Sequence, residues 1–307
     1  MDYLEKRFDV SVTRNIPFGE ARIGFNDGKG PMSMRTLAMD MYSPIGCDGL
    51  RLPALIMAFG GAFHRGSKED DTVRENEVFN TPIAEYCLRF AARGYRCFSI
   101  DYRLTQEDPD PGEDRVLGDG DVPRGRIDYV RNILGLAPST AAMIRNEQEA
   151  AINDMAMAWR HVADAADTYG VDPVRIAVGG FSAGARIAMI SALVKGIRPA
   201  AAIGLSGYVP DIVIDNFRKR EAPSFPMFVC RGENDLDYVV ADTPKMCAML
   251  AEAGLTLQTC VVPGAGHFYP CESPAVSPDG ETKDLESAMA EFLKRALWAN
   301  HNEVAEA

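Results

Sequence analysis

Residues 175–184 read RIAVGGFSAG, and this stretch decides the fold. Ile176 and Val178 make the first half an apolar strand. The second half, Gly180-Phe181-Ser182-Ala183-Gly184, is a G-x-S-x-G pattern on the turn from that strand into a helix. A serine on so sharp a turn stands proud of the sheet in a strained backbone conformation. The residues two before and two after it must be small, because chain segments pass there closely. The helix behind it also turns N–H groups and the positive end of its dipole toward an incoming anion.

Working outward, short apolar runs alternate with amphipathic segments. Upstream, Leu37, Met39 and Met41 alternate as in a half-buried strand, and PALIMAF (53–59) is a run suited to a strand buried on both faces. A helix follows, capped by Asn80 or Thr81, with Pro82 in its first turn and Gly94 at its end. YRCFSI (95–100) is the next strand. Ile152, Met155, Trp159, Val162, Ala163 and Ala166 form one stripe of a long helix over about 141–169, closed by Gly170, with a turn at Asp172-Pro173. Downstream, 183–195 is a helix, and 200–205, 227–231 and 257–262 are strands. Asp242-Thr243-Pro244 opens a helix that Gly254 ends, and Leu285, Met289, Phe292, Leu293 and Ala296 mark the last one. This alternation implies an α/β fold, a mostly parallel sheet flanked by helices. Residues 104–140 and 206–226 break the rhythm and are read as cap-like insertions over the ligand crevice of a single domain, 1–307.

A serine hydroxyl needs a base. Of four histidines, His161 faces away from the helix's apolar stripe and His301 lies in a polar tail. His267, in the glycine-rich loop PGAGHFYP after strand 257–262, is the candidate base; His64 follows the glycine loop described next. The group that orients the base should lie between strand 227–231 and His267. Asp235 fits, with Glu233 and Asp237 as close rivals. The order Ser182, Asp235, His267 is that of the serine hydrolases built on this elbow. An oxyanion needs preorganised donors. Ala183 supplies one N–H, and Gly61 and Ala62, in the Phe59-Gly60-Gly61-Ala62-Phe63 loop, supply the others.

Composition narrows the function classes. The 307 residues are 47% apolar and 25% charged, and no apolar run reaches the length of a membrane span. The formal net charge is −12, which repels phosphate backbones and anionic membranes, so neither nucleic acid nor a membrane is expected as a partner. Residues 104–128 carry eight acidic and three basic side chains. The seven cysteines contain no C-x-x-C pair and read as reduced core residues. With an N-terminus that lacks a signal-peptide pattern, they point to a cytoplasmic protein.

Four stretches together resemble the α/β-hydrolase superfamily over about 35–297. They are the Gly-Gly loop ending in Arg65-Gly66-Ser67, the strand end Asp101-Tyr102-Arg103-Leu104, the Asp172-Pro173 to Gly184 block, and the Asp235 and His267 loops. More narrowly the chain is similar to the bacterial carboxylesterases related to hormone-sensitive lipase and to feruloyl-esterase-like enzymes. The resemblance implies a serine esterase acting on a small-molecule ester through Ser182, His267 and Asp235, with no metal or cofactor, and it allows a homodimer. It assigns the DYRL segment a structural role. One position departs from the pattern: Phe59 stands where the family usually has a histidine that braces the oxyanion loop, and His64 is the candidate substitute brace. The aromatics Phe59, Phe63, Phe181, Phe268 and Tyr269 suggest an apolar or aromatic substrate group. The same triad also serves peptides, lactones, thioesters and activated carbon–carbon bonds. A non-catalytic ligand receptor is the alternative from another class, and the presence of His267 weighs against it.

Overall fold

The computed structural model describes residues 1–26, 31–75, 77–220 and 223–298. His301 lies outside the described residues. In chain order the strands and helices are β1 (Val10–Ile23), β2 (Ser33–Pro44), β3 (Leu52–Ala58), β4 (Arg74–Glu75), β5 (Val78–Phe79), α1 (Ile83–Ala91), β6 (Arg96–Ile100), α2 (Gly125–Ile133), α3 (Ala141–Asp164), α4 (Ala166–Tyr169), β7 (Val171–Phe181), α5 (Ala183–Val194), β8 (Ala201–Leu205), α6 (Asp211–Arg218), β9 (Met227–Gly232), α7 (Asp237–Glu252), β10 (Leu257–Val262), β11 (Pro274–Val276), β12 (Thr282–Asp284) and α8 (Leu285–Trp298). Ten strands form one sheet in the order β1-β2-β6-β3-β7-β8-β9-β10-β11-β12. The six from β6 to β10 in that order run parallel.

The parallel centre is the core. Every residue of β3 is buried, as its unbroken apolar run predicts, and so is every residue of α5, which packs on β7, β8 and α3. Ser182 therefore sits where the most central strand meets the most buried helix. The antiparallel additions at the edges, β1 and the short β11–β12 pair, carry no clear apolar period and fall outside the sequence expectation. β1 is mostly exposed, and it breaks register with β2 twice, at Thr13/Ile16 and Pro17/Gly19.

Several boundaries differ from the expectation for identifiable reasons. Helix α1 is not capped by Asn80 or Thr81. Its first N–H, from Ile83, is taken by the carboxylate of Asp71 at 2.8 Å. Asn80 instead accepts from the N–H of Val73, and Thr81 accepts from the N–H of Cys271. The long helix ends at Asp164, and Ala165 kinks it before the single turn of α4. Asp172-Pro173 is part of β7 rather than a free turn. Helix α7 starts at Asp237, not at Asp242-Thr243-Pro244, because Leu236 already accepts the N–H groups of Val239 and Val240. Pro244 sits inside it, and the neighbouring Thr243 hydroxyl bonds back to the Val239 carbonyl at 2.5 Å. Residues 206–226 contain α6, whose Val213, Ile214 and Phe217 are buried. All seven cysteines are free, and all but Cys247 are buried.

Candidate active site

Ser182 has φ 54° and ψ −113°, a conformation L residues rarely adopt. The neighbouring glycines make it attainable. A Cβ on Gly184 would stand 2.0 Å from the carbonyl oxygen of Ala58, and one on Gly180 would stand 2.3 Å from the backbone of Gly184. Both obstacles are backbone, so neither can move aside. The strand-to-helix turn is thus locked by main chain against main chain, with Ser182 N bonded to Leu205 O at 2.7 Å.

The three expected residues meet at this turn. Ser182 Oγ lies 2.9 Å from His267 Nε2, and His267 Nδ1 lies 2.6 Å from Asp235 Oδ1. An ionised carboxylate only accepts, so Nδ1 carries the proton and Nε2 offers its lone pair to the serine hydroxyl. Asp235 is buried, which alone would raise its pKa. The hydrogen bond to His267 and the charge of that ring, followed by the Ser206 hydroxyl, outweigh burial and hold the carboxyl below the usual range. Its other oxygen accepts from Ser206 Oγ at 2.5 Å, and the Tyr269 hydroxyl donates in turn to Ser206 at 2.8 Å. Neither residue was singled out for this role; Ser206 directly follows β8, a position that alone marks it. Glu233 turns outward to the N–H of Gly264, and Asp237 opens α7, so neither rival reaches the ring.

The loop after β3 is built differently. Gly61, Ala62 and Phe63 all have positive φ, and a Cβ on Gly61 would lie 2.0 Å from Arg65 O. Ala62 and Ala183 border the same cavity as Ser182; Gly61 does not line it. Side chains from distant segments hold this loop. Asp71 accepts from Gly60 N at 2.8 Å. Burial lifts the Asp71 carboxyl to about 6, against the lowering effect of its two N–H donors. Phe59 stacks on Tyr102 at 4.2 Å between centroids, and the Tyr102 hydroxyl donates to Phe59 O at 3.1 Å. His64 Nδ1 donates to Ala62 O at 2.7 Å, while Arg131 donates to His64 Nε2 at 2.9 Å. A carbonyl and a guanidinium leave this ring one tautomer, and burial, with Arg131, lowers its pKa. Thr105 N donates to Phe63 O at 2.9 Å, and its hydroxyl contacts the buried carboxyl of Glu147, whose pKa burial raises.

The cavity beside Ser182 has a free volume of about 30 Å³, room for about one water. Pro123, Arg126 and Ile127 wall it from the 104–140 segment, and Ser206, Gly207 and Tyr208 from the 206–226 segment. Of the five aromatics expected around a substrate, only Phe63 lines it. Phe181, Phe268 and Tyr269 pack about His267, with Phe181 5.5 Å and Phe268 5.0 Å from its ring centroid. His267 instead borders an open groove of about 500 Å³ with Gly266 and Phe268. The charged side chain that the acidic 104–128 stretch presents to the cavity is the cation Arg126. Arg103 bonds Asp154 at 2.8 Å, an internal role of the kind expected for the DYRL segment. His161 bonds the Tyr169 hydroxyl at 2.8 Å, away from the site.

Among the described residues one cluster, Cys271, Glu272 and Glu286, has ligand-like spacing. Glu286 is occupied there by Lys6, Arg89 and Arg93, and Arg89 also holds Glu272 at 2.5 Å, so the cluster reads as an ion-pair network. No helix among the described residues is long and apolar enough to cross a membrane.

The BD-FAE family model matches residues 142–207, the stretch that contains Ser182. No curated protein sequence matches the chain. Solved structures with the same architecture include esterase B from Lactobacillus rhamnosis (TM-score 0.59, 15% identity, covering 99% of this chain and 92% of that one). A truncated carbohydrate esterase from gut microbiota aligns with a TM-score of 0.57 at 14% identity, over 95% and 98% of the two chains. Esterase 2 of Thermogutta terrifontis, phosphorylated by paraoxon, gives 0.55 at 17% identity, over 94% and 92%. With the sheet order above, these likenesses show that the chain has the α/β-hydrolase fold.

Proposed function

We propose that this protein is a serine carboxylesterase. The observation that carries the reading is the unbroken line from Ser182 Oγ through His267 to Asp235, at 2.9 and 2.6 Å, ending at a cavity bordered by Ala62 and Ala183. Ser182 attacks the acyl carbon as His267 Nε2 takes its proton. The N–H groups of Ala183, Ala62 and Gly61 receive the developing oxyanion. His267 then protonates the departing alcohol, and water releases the acyl group by the same steps in reverse order. Asp235 keeps the ring in the productive tautomer and stabilises its charged form. The fold shared with two esterases and a carbohydrate esterase supports an ester as the scissile bond.

Residues 1–307 are read as one domain, with 104–140 and 206–226 as the cover of its site. The substrate is a small to medium ester with apolar or aromatic parts, for which Phe63, Ile127 and Tyr208 provide apolar wall. Turnover of p-nitrophenyl acetate and its loss on labelling of Ser182 by paraoxon test the reading. Labelling at another residue, or none, overturns it. A panel of esters varied in acyl and alcohol length then locates the substrate.

A further inference from the structure

Five cationic side chains among the described residues are buried: Lys68, Arg93, Arg103, Arg186 and Lys195. Four follow the rule that a buried charge is paired. Lys68 meets Asp40 at 3.1 Å, Arg103 meets Asp154 at 2.8 Å, Lys195 meets Glu149 at 3.2 Å, and Arg93 meets Glu286. Arg186 is the exception. Its Nε donates to Gln148 Oε1 at 2.6 Å, its Nη2 to the Asp121 carbonyl at 2.6 Å, and its Nη1 to the Tyr208 carbonyl at 3.3 Å. The Tyr208 ring lies 4.8 Å away. Every partner is neutral, and among the described residues no carboxylate comes within ion-pair reach.

The place of this cation is as telling as its lack of a partner. Arg186 is one helical turn after Ser182, its N–H bonded to Ser182 O at 3.1 Å, and both side chains line the cavity. Gln148, fully buried, also lines it. Because Oε1 is committed to Arg186, its Nε2 is a free donor there, with no partner among the described residues. A third donor, Arg126, comes from α2. Its guanidinium lies between the rings of Tyr129 and Phe268, and its one carboxylate contact among the described residues is Glu75 at 3.4 Å. No acidic side chain lines the cavity. In a chain of net charge −12, this small space is surrounded by donors and positive charge.

Only the cavity reaches the nucleophile: Ser182 lines it and does not line the groove that His267 borders. His267 must protonate the leaving alcohol, and it borders the open groove but not the cavity. The leaving alcohol is placed on the side of His267, and the acyl part on the side of the cavity that Ser182, Ala62 and Ala183 line. We propose that this cavity is an anion-binding acyl pocket and that the substrates are half-esters of the shortest dicarboxylic acids, of malonate size, whose free carboxylate supplies the counter-ion Arg186 lacks. This rests on ester hydrolysis at Ser182. The reaction consumes one water, breaks the acyl C–O bond, and yields the alcohol, the dicarboxylate and a proton.

The test compares monoethyl malonate with ethyl malonamate, its neutral carboxamide counterpart, by kcat/KM, alongside p-nitrophenyl acetate. The expected preference for the half-ester is about tenfold or more, as a charge-assisted pair implies. It should collapse toward parity in Arg186→Gln and weaken severalfold in Arg126→Gln, with Arg186→Lys retaining part of it. Arg126 lies on the short helix α2, outside the parallel core, so its variant keeps the test alive should Arg186→Gln fail to fold. If the wild type hydrolyses all three esters with no preference for the anion, or keeps the preference in Arg126→Gln and Arg186→Gln alike, the acyl-pocket proposal is overturned and the esterase reading stands. If it hydrolyses none of them, both fall.

Discussion

Two loops deliver the machinery to the same cavity, and they are held in opposite ways. The turn at Ser182 is held by backbone against backbone: Gly180 and Gly184 remove the atoms that would collide, and little else is required. The loop from Phe59 to Arg65 is held by side chains from elsewhere, Asp71, Tyr102, Thr105 and Arg131, reaching in over many residues of sequence. Three consecutive positive φ values, two of them on non-glycine residues, persist only because those contacts over-determine the loop. A main-chain lock tolerates no added atom. A side-chain lock gives way gradually, contact by contact.

The sharpest way to separate chemistry from scaffolding is Ser182→Ala, which should leave the fold intact and lower kcat on p-nitrophenyl acetate by about 10⁴-fold or more. Residual turnover near wild type would remove the serine from the mechanism. Gly184→Ala tests the main-chain lock. With its Cβ 2.0 Å from a carbonyl oxygen that cannot retreat, it should cost more than about 4 kcal/mol and yield little folded protein. A melting temperature close to wild type would show the turn to be softer than described.

On the other loop the losses should be graded. His64→Ala frees the Ala62 carbonyl, and kcat should fall about tenfold, less than removal of an oxyanion donor itself. Unchanged turnover would strip His64 of the bracing role. Asp71 offers a pH signature. Its folded pKa of about 6 lies above the ordinary 3.8, so its favourable contribution to stability is present below about 3.8 and disappears as pH rises through about 6. Melting curves of wild type and Asp71→Asn between pH 4 and 7 should shift steadily in the variant's favour as pH rises. A pH-independent difference would mean that Asp71 titrates normally. Burial raises the pKa of Glu147, so removal of its ionisable proton in Glu147→Gln should leave Tm within about 4 °C of wild type. A larger loss would place a charge there.

The same contrast explains what could be read in the sequence. That Ser182, His267 and Asp235 come together was legible because local chemistry marks them: glycines at fixed spacing, a loop after a strand, a carboxylate before the next helix. The parallel strands were legible because burial on both faces leaves a continuous apolar run. Asp71 was not, since nothing in SKEDD distinguishes the carboxylate that caps α1 and anchors Gly60 from its neighbours. Ser206 and Tyr269 act only through Asp235, a relation that exists in three dimensions and not in spacing. The aromatics around PGAGHFYP were read as substrate contacts. They pack about the histidine, because a ring next to glycines fills the space the glycines leave. The acidic count of 104–128 described the segment's bulk charge, while its cavity face carries an arginine.

The double break in the pairing of β1 with β2 has a consequence for the molecule in a crowded solution. An extended edge strand offers unpaired N–H and C=O groups to any neighbour. Here the offer is interrupted. Asn15 turns into the left-handed region, Pro17 lacks a donor, and Arg14 reaches back to Asp40 at 2.6 Å. At the far edge β12 is three residues long and includes Lys283, paired with Glu291 at 2.6 Å. Both margins of the ten-stranded sheet thus carry features that work against in-register pairing with a second copy.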